Sequence, residues 1–223
     1  MAQIFSRHAN SYAKASIVLV LVVVAAIFGA ADRLSRSSYV TRVDQFREQP
    51  IQFSHQHHVG GIGIDCRYCH TSVEKAASAG IPPTQTCMNC HAQIWANSPY
   101  LEPVRESYRT DSPIRWTRVH DLPDYVYFNH SVHVNRGISC VECHGKVNEM
   151  EEVYHYQPLS MTFCLDCHRN PAAKLRDPDK ITNLNWQPPG NTPKLKILKK
   201  AAPSPMPTTH CLTLAHPKIC SYN

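Results

Sequence analysis

The sequence predicts a mostly α and irregular fold with one N-terminal transmembrane helix, held together by bound groups more than by an apolar core. Three observations predict it. A seventeen-residue apolar run, Ala15 to Ala31, stands near the N-terminus. Beyond it the chain carries most of its 17 Pro, 14 His and 10 Cys while leucine and isoleucine are thin, a composition that would struggle to bury enough apolar surface by itself. Four times, a Cys-x-x-Cys pair is followed at once by histidine.

The apolar run, ASIVLVLVVVAAIFGAA, has Ser16 as its one polar member and sits at the lower edge of what crosses a bilayer as a helix. Gly29, Ala30 and Ala31 could serve as a small-residue cleavage site, but the run exceeds the usual apolar core of a signal peptide. A retained single-pass anchor is the expectation. Arg7 and Lys14 precede the run and Arg33, Arg36 and Arg42 follow it, so flanking charge does not decide the orientation.

The four strings are Cys66, Cys69, His70; Cys87, Cys90, His91; Cys140, Cys143, His144; and Cys164, Cys167, His168. This is the attachment pattern of c-type haem. Two thiols reach the two vinyl groups on one porphyrin edge, and the next residue supplies the proximal imidazole. Structural zinc is the competing reading, because the cysteine pairs are also spaced as in four-cysteine zinc sites. The histidines decide. At 14 His in 223 residues, four such coincidences have a chance of about 1 in 60,000. Four covalently bound haem c groups are therefore expected, consuming eight of the ten cysteines, so that no disulfide is needed. Covalent haem attachment in bacteria takes place outside the cytoplasmic membrane. Residues from about Asp32 onward should accordingly face the periplasm, with the protein in the cytoplasmic membrane.

The remaining iron ligands come from an internal duplication. FSHQHH from Phe53 to His58 precedes the first string and FNHSVH from Phe128 to His133 precedes the third, sharing F-x-H-x-x-H. The strings recur with nearly the same offset, which marks two copies of one dihaem module. His55, His58, His130 and His133 are the distal candidates. With the four motif histidines they make eight imidazoles for four irons. His57, His120 and His155 are weaker candidates; Met150 and Met161 are available but not needed, and Met88 lies inside a string. No string lacks its histidine, so no open catalytic haem is expected and the chain is read as an electron carrier, not an enzyme. Carbon monoxide reactivity would distinguish a multihaem reductase with a five-coordinate iron.

These features divide the chain into an anchor (1–36), a first dihaem module (37–110), a second (111–186) and a Pro-rich, basic, disordered tail (187–223). Short helices are expected from Ser72 to Ala79, closed by Gly80, Pro82 and Pro83, and from His91 to Asn97. Residues 114–128 have the aromatic and β-branched content of short strands, broken by Pro123. Trp116, Tyr125, Tyr127 and Phe128 are expected against porphyrin faces. Formal net charge is +6 with neutral His, but no aromatic-interleaved basic patch points to nucleic acid. Arg105, Arg109, Arg115 and Arg118 are candidates for haem propionates, with a solvated surface run as the alternative for each.

The anchor followed by F-x-H-x-x-H and paired strings resembles class III (cytochrome c3 and c7) multihaem cytochromes. FSHQHHVGGIGIDCRYCHTSVEKAASAGIPPTQTCMNCH and ESYRTDSPIRWTRVHDLPDYVYFNHSVH resemble, more closely, the membrane-anchored pentahaem cytochrome subunit of bacterial alternative complex III, over roughly residues 1–186. The resemblance implies a subunit of a quinol-oxidising membrane complex. It would pass electrons from an iron-sulfur/molybdopterin-like subunit and a quinol-binding membrane subunit toward a monohaem cytochrome and a terminal oxidase. The family's fifth haem string is not encoded here: the tail has Cys211 and Cys220 but no CxxCH, and His210 and His216 are poor metal candidates. The alternative is a tetrahaem quinol dehydrogenase feeding a periplasmic reductase. That type expects a methionine shortly after the first string, where Thr71 and Ser72 stand.

Overall fold

The computed structural model describes residues 4–187. The chain divides into two compact units, Met1–Asp44 and a second from Gln45 onward. The tail and its Cys211, Cys220, His210 and His216 lie outside the described residues.

The first unit is dominated by α1, Ala9–Ser35, whose 27 residues extend about 40 Å at 1.5 Å per residue, against a hydrocarbon core of about 30 Å. No residue of α1 is buried, as suits a helix whose solvent is lipid. It is long and apolar enough to cross a membrane and exceeds the apolar run because Asn10 to Lys14 add a polar turn at its start. At its end Arg36 pairs with Asp32 at 3.0 Å. A single turn, α2 (Ser38–Thr41), follows and stops at Arg42 in the left-handed region, φ 59°.

The second unit is short helices joined by turns: a π-helical turn at Gln56–Gly61, α3 (Cys66–Cys69), α4 (Thr84–His91), α5 (Glu102–Thr110), α6 (His130–Asn135), α7 (Val141–His144) and α8 (Met161–Arg169), with four 3-10 turns between and after them. Its buried apolar side chains among the described residues are Ile51, Val104, Val134, Met150, Ile181 and Leu184. That short, scattered set matches the composition. Helix α5 packs on α4 through Val104 and through Ser107, whose hydroxyl meets Thr84 Oγ1 at 2.7 Å and donates to the Ser112 carbonyl at 2.6 Å.

Three local expectations are corrected. Residues 72–79 form turns, not a helix. The Ser72 hydroxyl donates to the Ser78 carbonyl at 2.9 Å rather than capping, and Gly80, at φ +76°, comes so near Ser72 that a Cβ would lie 2.8 Å from its hydroxyl oxygen. The helix expected over 91–97 lies one segment earlier, as α4, with turns over 92–97 that include Trp95 at φ 56°. No strand forms over 114–128. There the Gln49 side-chain amide takes the place of a neighbouring strand: its Nε2 donates to the Thr117 carbonyl and its Oε1 accepts from the Thr117 N–H, both at 3.0 Å. An antiparallel bridge joins Ile138 to Leu175.

Candidate haem-binding site

Each Cys-x-x-Cys-His string sits on or at the end of a helical turn: α3, α4, α7 and α8. Helical spacing puts the cysteines, three apart, on one face with the histidine beside the second. The turns are fixed at their starts. Asp65 caps α3 by accepting the Arg67 N–H at 2.9 Å, and Ser160 caps α8 by accepting from the Phe163 N–H at 3.4 Å. None of the eight string cysteines is joined in a disulfide.

The two upstream histidine pairs have nearly the same geometry. Phe53 stacks on His58 (ring centroids 4.4 Å apart, 23° between planes) and meets His55 edge-on (4.8 Å, 86°). Phe128 stacks on His133 (4.5 Å, 28°) and meets His130 edge-on (4.8 Å, 88°). In both copies the second histidine shares its Nδ1–H with the carbonyl four residues back, His58 with Ser54 and His133 with Asn129, each at 2.8 Å. One phenylalanine thus splays its two imidazoles at a wide angle.

The same device recurs at other rings. His130 Nδ1 meets the Ala77 carbonyl at 2.8 Å, His70 Nδ1 the Gly80 carbonyl at 2.7 Å, and His91 Nδ1 the Ile94 carbonyl at 3.0 Å. A carbonyl only accepts, so each of these five rings donates from Nδ1, which leaves Nε2 as the nitrogen available to a ligand. That is the state in which imidazole ligates a metal, with an outer partner fixing tautomer and orientation. The sequence analysis did not anticipate these carbonyls; in the two F-x-H-x-x-H segments the four-residue backward spacing could have suggested them.

The pairings test whether the residues fit a bis-imidazole iron. With each nitrogen about 2 Å from a shared metal ion, two rings stand about 6 Å apart centre to centre. His58 and His91 are 6.1 Å apart, His133 and His168 6.1 Å, and His130 and His144 6.3 Å. His55 lies within electrostatic reach of His70. The donor set fits: three of the four distal candidates stand at this spacing from a string histidine of their own half.

Burial favours the neutral form of His55, His58, His133 and His144. It pushes His55 down to about 4, helped by the charges His70 and His58 would carry. Burial, with His120 and His130 next, pushes His144 down to about 3, and it lowers His58 and His133 against the opposing pull of their carbonyl bonds. Cys66 and Cys140 are in hydrogen-bond contact, which lowers the first thiol and raises the second. Burial raises Cys143 to about 11. The first and third strings therefore meet at their leading cysteines.

His120 falls outside the pairing scheme. Its ring is 4.3 Å from His144 at 79°, too close for an iron between them, and its buried Nε2 has no protein hydrogen-bond partner among the described residues. Burial pushes it down to about 4. His155 is buried 5.5 Å beyond it, and His57 is exposed. Met150 is buried and Met161 exposed. Among the described residues no group of three or more His, Cys, Asp or Glu is placed to hold a single metal ion.

Three of the four candidate arginines hold protein partners. Arg105 pairs with Glu102 and donates to the Ala96 and Ser98 carbonyls at 2.7 and 2.9 Å; Arg109 pairs with Glu106 at 2.6 Å and Arg118 with Asp121 at 3.3 Å. Tyr125 and Tyr127 are exposed on the protein surface, Tyr127 at 92%. Phe128 packs on histidines, and Trp116 is half-buried.

Comparison with known proteins points the same way as the geometry. The family described as cytochrome c7 and related cytochrome c matches residues 126–188. The chain is 30% identical over 145 residues to the protein named menaquinone reductase, multiheme cytochrome c subunit, from Nitratidesulfovibrio vulgaris (strain Hildenborough), a match covering 56% of this chain and 69% of that protein.

Proposed function

Since the chain belongs to the family of multihaem c-type cytochromes that includes this menaquinone reductase subunit, we propose that it is the membrane-anchored electron-transfer subunit of a quinone-linked respiratory complex, carrying four haems bound at the four strings. The observation that carries this reading is the set of imidazole pairs at 6.1 to 6.3 Å. Bound there, haem c supplies reversible one-electron storage at an iron with no position open to substrate.

The protein's own part is to hold and orient. Cys66, Cys69, Cys87, Cys90, Cys140, Cys143, Cys164 and Cys167 form the thioethers. His70, His91, His144 and His168 bind from the proximal side, and His55, His58, His130 and His133 from the distal side. Phe53 and Phe128 fix the angle between the distal rings, so each half links two centres through one aromatic hub. Saturating both axial positions with imidazole favours low potentials and excludes small-molecule chemistry.

The resemblance of the F-x-H-x-x-H and string segments to the pentahaem subunit of alternative complex III supports a quinol-oxidising assembly. Electrons would then run from an iron-sulfur/molybdopterin-like subunit and a quinol-binding membrane subunit to a periplasmic cytochrome or terminal oxidase. The helix α1 would be retained as a single-pass anchor with the haem unit on the periplasmic side. The name of the relative favours a second reading, in which the same conduit delivers electrons toward menaquinone. The test is intact mass and pyridine haemochrome of the membrane-extracted protein, which should return four thioether-linked haems and an uncleaved N-terminus. Stopped-flow reduction of the whole complex by a menaquinol or ubiquinol analogue then separates the two directions: rapid haem reduction supports quinol oxidation, and haems that stay oxidised until a periplasmic donor is added support menaquinone reduction. Absence of covalent haem would overturn both.

A further inference from the structure

The segment 174–186 makes several side-chain bonds to residues that flank or lie within the first and third haem strings, and fastens itself internally. Thr182 Oγ1 donates to Asp65 Oδ2 at 2.8 Å, and Asp65 is the residue that caps α3 at Cys66. The hydroxyl of Ser139, next to Cys140 and only 1% exposed, donates to the Ile181 carbonyl. Arg176, 8% exposed, reaches Glu142 inside the third string at 3.2 Å and donates to the carbonyls of Asn183 and Trp186 at 3.2 and 3.4 Å, with its guanidinium 5.3 Å over the Trp186 ring. Lys174 adds a second cation to Glu142 at 2.7 Å. Arg176 N–H donates to the Gly137 carbonyl at 2.8 Å, and Gly137, at φ +88°, lies so close that a Cβ would sit 2.5 Å from the Arg176 carbonyl oxygen.

These bonds converge on the place where the side chains of Cys66 and Cys140 come together. A buried arginine that satisfies a carboxylate and two carbonyls at once is a rigid fastening. Its neighbours Ile181 and Leu184 are two of the unit's few buried apolar side chains. No bond of this set goes to the second or fourth string.

We propose that residues 174–186 form a clamp that sets the gap between the first and third haem strings and so tunes electron exchange between the groups they hold, with Thr182 and Arg176 as positioning residues. The inference rests on the four-haem reading above. It adds no new chemistry: one electron leaves one centre as it arrives at its neighbour, with no bond made or broken. Electron transfer falls steeply with edge separation, so fixing that separation fixes the rate.

The experiment uses the full-length, membrane-extracted holoprotein and three variants, Thr182→Val, Arg176→Gln and Gly137→Ala. Haemochrome first counts haems; a wild-type count of zero overturns the underlying reading and the clamp with it. Potentiometric titration and low-temperature EPR then report how strongly neighbouring centres interact. The clamp predicts that every variant that retains four haems narrows the splitting between the two interacting potentials and sharpens the spin-coupled EPR signal. Gly137→Ala and Arg176→Gln should act more strongly than Thr182→Val. Should one of the harsher variants fail to accumulate, Thr182→Val, which removes one hydroxyl and keeps the side chain's shape, carries the test. Unchanged potentials and EPR with only a lower thermal midpoint would assign the segment a purely structural role and overturn the proposal.

Discussion

The two halves of the haem unit set up their distal imidazoles identically and then diverge. Phe53 and Phe128 hold their histidine pairs at centroid distances and angles that agree within about 0.1 Å and 5°. Around that shared hub the backbone differs. The first pair spans the start of a π-helical turn at Gln56–Gly61, the second rides on the ordinary helix α6. The π turn lets Gly60 approach the Asn148 carbonyl so closely that a Cβ would meet it at 2.3 Å, tying the first half to the segment after the third string. In return His130 reaches into the first half for the Ala77 carbonyl, while His55 Nδ1 has no protein partner among the described residues.

Breaking the attachment in each half should have the largest effect. Cys66→Ala with Cys69→Ala, and separately Cys140→Ala with Cys143→Ala, should each lower the haemochrome count from four to three. The second pair should also reduce accumulation more, because Cys140 and Cys143 are the more deeply buried thiols. Equal accumulation, measured by immunoblot against haem stain, would contradict the difference in burial.

Exchanging one axial ligand sharpens the comparison. His58→Met and His133→Met should each raise the potential of one centre by on the order of 100 mV, since thioether ligation favours the reduced iron. Because both rings stack on phenylalanine in the same way, the two shifts should be alike in a potentiometric titration.

The smallest effect concerns the caps. Ser54 Oγ accepts the His57 N–H at 3.1 Å, and Asn129 Oδ1 accepts the Ser131 N–H at 2.9 Å. Ser54→Ala and Asn129→Ala should each cost about 1 kcal/mol, read from denaturant unfolding of the holoprotein. Asn129→Ala should cost slightly more, as Asn129 Oδ1 also accepts from the Ser131 hydroxyl.

Much of this was legible in the sequence because covalent chemistry imposes fixed spacings. The string cysteines and histidines and the repeated F-x-H-x-x-H could be read directly, and the apolar run marked α1. Secondary structure was less legible because polar side chains override local propensity here. Residues 114–128 have strand composition, yet Gln49 supplies the hydrogen bonds a neighbouring strand would have given. Residues 72–79 have helix composition, yet His70 draws the Gly80 carbonyl inward and Ser72 bonds forward instead of capping. The clamp was invisible for a different reason. Thr182 and Asp65 are 117 residues apart, and no spacing rule links them.

The acceptors that hold the imidazoles of His58, His70, His91, His130 and His133 are all main-chain oxygens. No single side-chain replacement can delete them. Aiming of the rings is thus insulated from most point substitutions, leaving the surrounding residues free to drift and adjust voltage without misdirecting a ligand.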